Sequence, residues 1–237
     1  MTLCYNSIDL VIFDCDGVLI DSEVISAQVL VDMLTPEGVS IDLDYVYKYF
    51  LGQQFTSVKQ ALLQNFSIDL PDSFESEYRQ QLLLAFEKDL RTTSGVKEIL
   101  SKLNVACCVA TSSSLLRTQG ALKLVGLTDH FSETIYTASQ VKRGKPAPDL
   151  FLFAAKQMQV EPKNCLVIED SISGIKAGIS ADMSVWRYTG ASHFKSTNKE
   201  LTDRDLQIPI LDSWKEFYKM APNLQKLSTT AGDQNDY

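Results

Sequence analysis

The sequence predicts a doubly wound α/β protein: a parallel sheet with helices on both faces and an α-helical module inserted after the first strand. Three observations lead there. A first strand-length apolar run, IDLVIF at 8–13, ends abruptly in an acidic cluster, as a buried parallel strand does when it delivers residues to a sheet edge. Comparable runs recur at 104–110, 133–137, 164–168 and 183–188 with helical patterns between most of them. Between 22 and 90 the alternation stops, and only helical patterns such as SEVISAQVLVDML and ESEYRQQLLLAFEKDL are found.

Each element follows from its own pattern. Helices are expected over roughly 114–125, 148–159 and 172–181, each between two of the apolar runs. The insert joins the rest of the chain at Asp21-Ser22-Glu23 and at Arg91 to Gly95, where polar and Gly residues interrupt the periodicity. The expected division is a core of 1–21 and 92–220, a helical cap of 22–91, and a tail of 221–237 that loses its apolar period and is expected to fray.

Composition narrows the function classes. With 45% hydrophobic and 22% charged residues, the chain matches a globular protein rather than a disordered or fibrous one. A formal net charge of −8 would repel a polyphosphate backbone, so nucleic acid is not an expected partner. No basic-then-apolar leader and no window near 18 uninterrupted apolar residues is found, which argues against a membrane and for a cytoplasmic protein. The five Cys form no CxxC pair and sit mostly in or beside apolar runs, which fits a reducing compartment. Nothing in the pattern calls for an oligomer, and a monomer is the expectation.

Chemistry concentrates at four places, each at the end of an apolar run or in a loop. Asp14 and Asp16 follow the first run, with Gly17 releasing the chain into a turn, and strand alternation would place both carboxylates on one side. Clustered acids repel unless one holds a proton or a cation sits among them, which implies a hard metal. Thr111-Ser112-Ser113 ends the run at 104–110, where hydroxyls and helix-start amides can hold phosphoryl oxygens. Lys145 in GKPAPD can neutralise a phosphate. Glu169 and Asp170 close the run at 164–168. Taken singly, these are equally a polar turn, a helix cap, a loop lysine and helix-start acids.

Taken in order, DCDGV at 14–18, the Thr111 strand end, Lys145 in GKPAPD and EDS at 169–171 make the chain resemble the haloacid dehalogenase superfamily of phosphohydrolases. The resemblance runs from residue 8 to about 195 and is nearest the branch of beta-phosphoglucomutase and sugar-phosphate phosphatases, whose members carry a helical cap in the same place. It implies Asp14 as nucleophile and Asp16 as general acid and base. It implies Mg2+ held by the Asp14 carboxylate, the Asp16 carbonyl, the Asp170 carboxylate and waters, with Glu169 behind them or acting through water. Thr111, Ser112 and Lys145 would bind the phosphoryl group.

The implied function is a magnesium-dependent phosphatase acting on a small phosphorylated metabolite, a sugar phosphate or a sugar-acid phosphate such as a phosphogluconate. Asp16 argues against dehalogenation, because a halide leaves without a proton. Mutase relatives grip a second phosphate with a cap arginine, and the matching stretch LGQQF at 51–55 has none, so hydrolysis is preferred over a mutase. Gln53 and Gln54 would there face a sugar-like group. A receiver-like domain or a non-catalytic regulator is the rival from another class; Asp16 and the insert argue against the first, and the intact set of Asp14, Asp16, Lys145 and Asp170 argues against the second. His193 reads as an exposed loop residue and Trp186 as core.

Overall fold

The structure, a computed structural model, describes residues 7–51, 55–196 and 207–226. The chain forms β1 (Leu10–Phe13), then four helices, α1 (Glu23–Leu34), α2 (Leu43–Tyr49), α3 (Phe55–Phe66) and α4 (Phe74–Asp89). The remainder alternates: α5 (Val96–Lys102), β2 (Ala106–Thr111), α6 (Leu115–Leu124), α7 (Thr128–Phe131), β3 (Ile135–Thr137), α8 (Asp149–Gln157), β4 (Cys165–Glu169), α9 (Ile172–Ser180) and β5 (Ser184–Tyr188). It ends with α10 (Ser192–Ser196), β6 (Ile210–Leu211) and α11 (Phe217–Met220).

All strand pairs are parallel, in the order β3-β2-β1-β4-β5-β6. Such a sheet is buried on both faces, which is why its strands read as unbroken apolar runs. Strand alternation then sorts β1 between two cores. Val11 and Phe13 face a cluster with Ile99, Leu122, Ile168 and Trp186, while Leu10 and Ile12 face one with Leu150, Phe151, Val167 and Ile175. Helices therefore cover both faces, as the sequence predicts, and Trp186 is core, 1% exposed.

The insert has a core of its own, in which Leu30, Leu34, Val46, Leu62 and Phe74 pack together. Its attachment is shared, because Leu82 and Phe86 in α4 and Leu90 just past its end pack into the first sheet cluster. The two crossings into the insert lie side by side: Ile20 bridges Thr92, and the Asp21 amide donates to the Arg91 carbonyl at 2.9 Å.

Several elements differ from the sequence reading. β6 was not expected; it is two residues long and sits at the sheet edge, where the Arg187 amide bonds the Pro209 carbonyl. α2 is one short helix of seven residues, started by Asp42, whose side chain accepts from the Tyr45 amide. The tail expected to fray from residue 221 is packed as far as 226: Leu224 is 1% exposed, and Leu103 bridges Gln225. Residues 227–237, and Gln53 and Gln54, lie outside the described residues. Among those described, no helix is long and apolar enough to cross a membrane.

Candidate active site

In a sheet of this order, the chain turns outward in opposite directions from β1 and β4, and a crevice opens at their carboxyl ends. The acids meet there. β1 stops at Phe13, so Asp14 is the first residue past the strand and Asp16 lies in a turn closed by the Leu19 and Ile20 amides on the Cys15 carbonyl. The expectation that alternation aligns the two carboxylates therefore needs correcting. They take separate sets of partners.

Asp14 accepts from Lys145 Nζ at 2.5 Å. The same ammonium reaches Glu169 Oε1 at 2.7 Å and the Ala110 carbonyl at 2.9 Å, which uses all three of its protons. Glu169 is fully buried, and its other oxygen accepts from the Ser171 amide and hydroxyl at 2.7 and 2.9 Å. Both Glu169 oxygens are thus committed to Lys145 and Ser171. Gly174, in the first turn of α9, makes this possible, since a Cβ there would lie 1.6 Å from Glu169 Oε1.

Thr111 ends β2, 1% exposed, and its hydroxyl accepts from the Ser113 amide at 3.1 Å. Ser112 beside it is exposed. Asp170 ends its run packed against Gly17, whose φ of +76° and whose neighbour Asp170 Oδ2, 2.1 Å from any added Cβ, together require glycine. The structure thus gathers Asp14, Thr111, Lys145, Glu169 and Asp170 at one sheet edge, with Asp16 beside them.

Asp16 is held by residues the sequence reading did not single out. Arg117 of α6 grips it with both ends of its fork, Nη1 to Oδ2 and Nη2 to Oδ1, each at 2.8 Å. Ser22 and Ser113 hydroxyls add bonds of 2.6 and 2.8 Å. A lone Arg in the first turn of a helix reads as solvated surface, and only its packing against a residue 101 positions away reveals it. His193, expected in an exposed loop, is instead 3% exposed, with Nε2 3.5 Å from Asp170 Oδ2.

Charge is unevenly balanced in the crevice. Burial, opposed by Lys145 and aided by Glu169, pushes the Asp14 carboxyl from 3.8 up to about 7. Burial and the neighbouring Glu169 and Asp14 push Asp170 well above its usual range. Burial would raise Asp16 too, but Arg117 and the hydroxyl donors outweigh it and hold that carboxyl low. Glu23, half-buried at the start of α1, is raised to about 8 by burial and by Asp16, with Arg117 opposing.

Among the described residues, no group of three or more His, Cys, Asp or Glu side chains converges to hold a metal ion. A cation would therefore take two carboxylates, Asp14 and Asp170, completed by main-chain oxygen and water. The donor set fits Mg2+: hard oxygens, and two acids raised first by burial and then by neighbouring carboxylates, a cost that a divalent ion would relieve.

Known proteins resemble this chain in sequence and fold. The family of haloacid dehalogenase-like hydrolases matches residues 8–182. The 6-phosphogluconate phosphatase of Escherichia coli (strain K12) is 30% identical over 191 residues, 80% of this chain and 86% of that protein. Two solved structures superpose over 92% of this chain. One is a haloacid dehalogenase-like protein, ATU0790, from Agrobacterium tumefaciens str. C58, with TM-score 0.79, 32% identity and 99% of its chain covered. The other is a hydrolase of the same family from Deinococcus radiodurans R1, solved with bound phosphate and sodium, with TM-score 0.77, 34% identity and 97% covered. The family match spans most of the sheet and every acid in the crevice, and the chain therefore belongs to the haloacid dehalogenase-like hydrolases.

Proposed function

We propose that the protein uses Mg2+ to dephosphorylate a small phosphorylated metabolite, a sugar phosphate or a sugar-acid phosphate such as a phosphogluconate, through an aspartyl-phosphate on Asp14. That it is a phosphoric monoester hydrolase follows from its family and from its phosphatase relatives. The finer reading rests on one observation above all: Lys145 joins Asp14 and Glu169 in a single buried cluster at the switch point of the sheet. A structural lysine needs no such pair of acids, and a phosphoryl group placed there meets a nucleophile and a cation together.

Asp14 attacks phosphorus in line, and the P–O bond to the leaving group breaks as the Asp14–phosphorus bond forms. Thr111, Ser112 and Lys145 stabilise the charge on the equatorial oxygens. Asp16 gives a proton to the leaving oxygen, then takes one from the water that cleaves the aspartyl-phosphate. Asp14, the Asp16 carbonyl and Asp170 would hold Mg2+, which would neutralise charge as two anions are brought together. The phosphate and sodium bound by the D. radiodurans relative support an anion-and-cation site of this kind.

An insert that closes over the crevice would favour a small molecule over a macromolecule and would keep bulk water out during transfer. The 6-phosphogluconate phosphatase relative supports a sugar acid among the candidates. The test is a panel of phosphorylated metabolites assayed with and without Mg2+, followed by mass spectrometry of the acid-quenched enzyme. A phosphorylated peptide containing Asp14 is expected. Phosphopeptides or nucleic-acid ends turned over far better than any metabolite would reject the substrate class, and phosphate found on another residue would reject the mechanism.

A further inference from the structure

The family match ends at residue 182, yet the chain goes on to add β6 and a closing segment whose packing reaches back to the catalytic edge. Trp214, just past β6, is 1% exposed. Its ring lies 5.9 Å from that of Phe13, the last residue of β1, and stacks at 4.6 Å on Tyr188. Its indole nitrogen donates to the Thr93 hydroxyl at 2.9 Å, and that hydroxyl lies 2.5 Å from the Val18 carbonyl. Chemistry fixes the direction of both bonds. An indole N–H only donates, so Thr93 accepts from it, and the one proton of the hydroxyl is left for Val18.

Val18 belongs to the turn that follows β1 and carries the acids. Internally the turn is closed by the Gly17 amide on the Ile20 carbonyl at 2.8 Å and by the Leu19 and Ile20 amides on the Cys15 carbonyl at 3.0 and 3.1 Å. Outwardly Thr93 holds it at two consecutive carbonyls, through its amide to Leu19 at 3.1 Å and its hydroxyl to Val18. Val18 and Thr93 are both buried, so a carbonyl that loses its donor here carries the full cost of desolvation, and the turn has to shift to find another. Valine would fill the place of Thr93 equally well, and the hydroxyl is therefore not there for packing.

We propose that Trp214 and Thr93 are positioning residues for the reaction. Through the Val18 carbonyl they set the turn, and with it the line along which Asp14 meets phosphorus, so the segment beyond the family match is part of what makes the site work. The inference rests on the reading of Asp14 as the nucleophile.

The test measures kcat, KM and Tm with 4-nitrophenyl phosphate and Mg2+. Thr93→Val keeps the shape and removes the hydroxyl; displacement of the turn by an ångström is expected to lower kcat by about 10- to 100-fold with KM little changed. Thr93→Ser keeps the hydroxyl and should retain most of kcat. Trp214→Phe keeps a ring but removes the donor that orients Thr93, and a smaller loss in kcat is expected. Leu224→Ala opens a cavity in the same packing without touching the relay: Tm should fall by about 5–15 °C while kcat, measured well below Tm, holds. Wild-type kcat in Thr93→Val or in Trp214→Phe, Thr93→Ser as slow as Thr93→Val, or a loss of kcat in Leu224→Ala equal to that in Thr93→Val overturns the relay. Mass spectrometry of the acid-quenched wild type keeps the two readings apart. No phosphate on Asp14 takes down both, whereas phosphate on Asp14 with kcat unmoved in Thr93→Val takes down the relay alone.

Discussion

Lys145 Nζ and Asp14 Oδ1 lie 2.5 Å apart although 131 residues separate them, and the same nitrogen is 2.7 Å from Glu169. The ammonium is 3% exposed, so its removal leaves two acids buried without a counter-charge. Lys145→Ala is expected to cost roughly 3–5 kcal/mol of stability and to lower kcat/KM by about a thousandfold or more. Lys145→Arg should not rescue it, since a planar fork cannot reach three acceptors arranged around a point. Thermal melts and steady-state kinetics check both; an active arginine variant would count against the geometry.

Asp14→Asn replaces the attacking oxygen with an amide oxygen that is a poor nucleophile, and turnover should nearly vanish on every ester. Asp16→Asn should lose about 100- to 10,000-fold on alkyl phosphates and much less on aryl phosphates. A single common factor on both ester types would show that Asp16 acts through structure alone.

Glycine at 174 is a steric requirement rather than a flexible point. Gly174→Ala would drive a methyl group to 1.6 Å from Glu169 Oε1 and displace it from Lys145, at a cost of about 1–3 kcal/mol and with a fall in kcat. Gly120→Ala, with nothing within 4 Å of the new Cβ and a helical backbone, should instead stabilise by about 1 kcal/mol. Equal melting temperatures for the two variants would contradict this.

The raised Asp14 carboxyl fixes the sign of the metal effect. Between its ordinary 3.8 and about 7, the folded chain holds a proton that the unfolded chain has released. Without metal, this group's contribution to stability is therefore full below about pH 4, falls as pH rises to about 7 and is level above that. Asp170 is shifted the same way. Mg2+ replaces the proton, so its stabilisation should be largest above pH 7 and shrink toward pH 5. At about 100 times its Kd it should contribute about 2.7 kcal/mol, roughly 5–10 °C in Tm. Melts at pH 5 and pH 8 with and without Mg2+ check this, and a shift of equal size at both would argue against binding at Asp14.

The strands that carry the chemistry were legible because burial on two faces writes itself as unbroken apolar residues: Leu10–Phe13 and Cys165–Glu169 stand out from their surroundings. Lys145 was legible through its motif. Arg117 was not, since nothing near it in the chain says that its partner is Asp16. Ile210–Leu211 escaped because two residues carry no periodicity, and α2 because seven carry little. The burial of His193 depends on Asp170 and Gly17, which come to it only through the fold.

The side-by-side crossings at Ile20–Thr92 and Asp21–Arg91 make the insert a closed loop on the rest of the chain. For flexible loops, doubling the length of such an excursion adds only about 0.6 kcal/mol of closure entropy. The sheet is therefore nearly indifferent to what is carried between those two points. New specificities can be acquired by exchanging α2 and α3, provided that α1 and the end of α4 survive, because Leu82, Phe86 and Leu90, with Ile25 and Val29 of α1 against the same cluster, belong to the sheet's own packing and not to the part that can be traded.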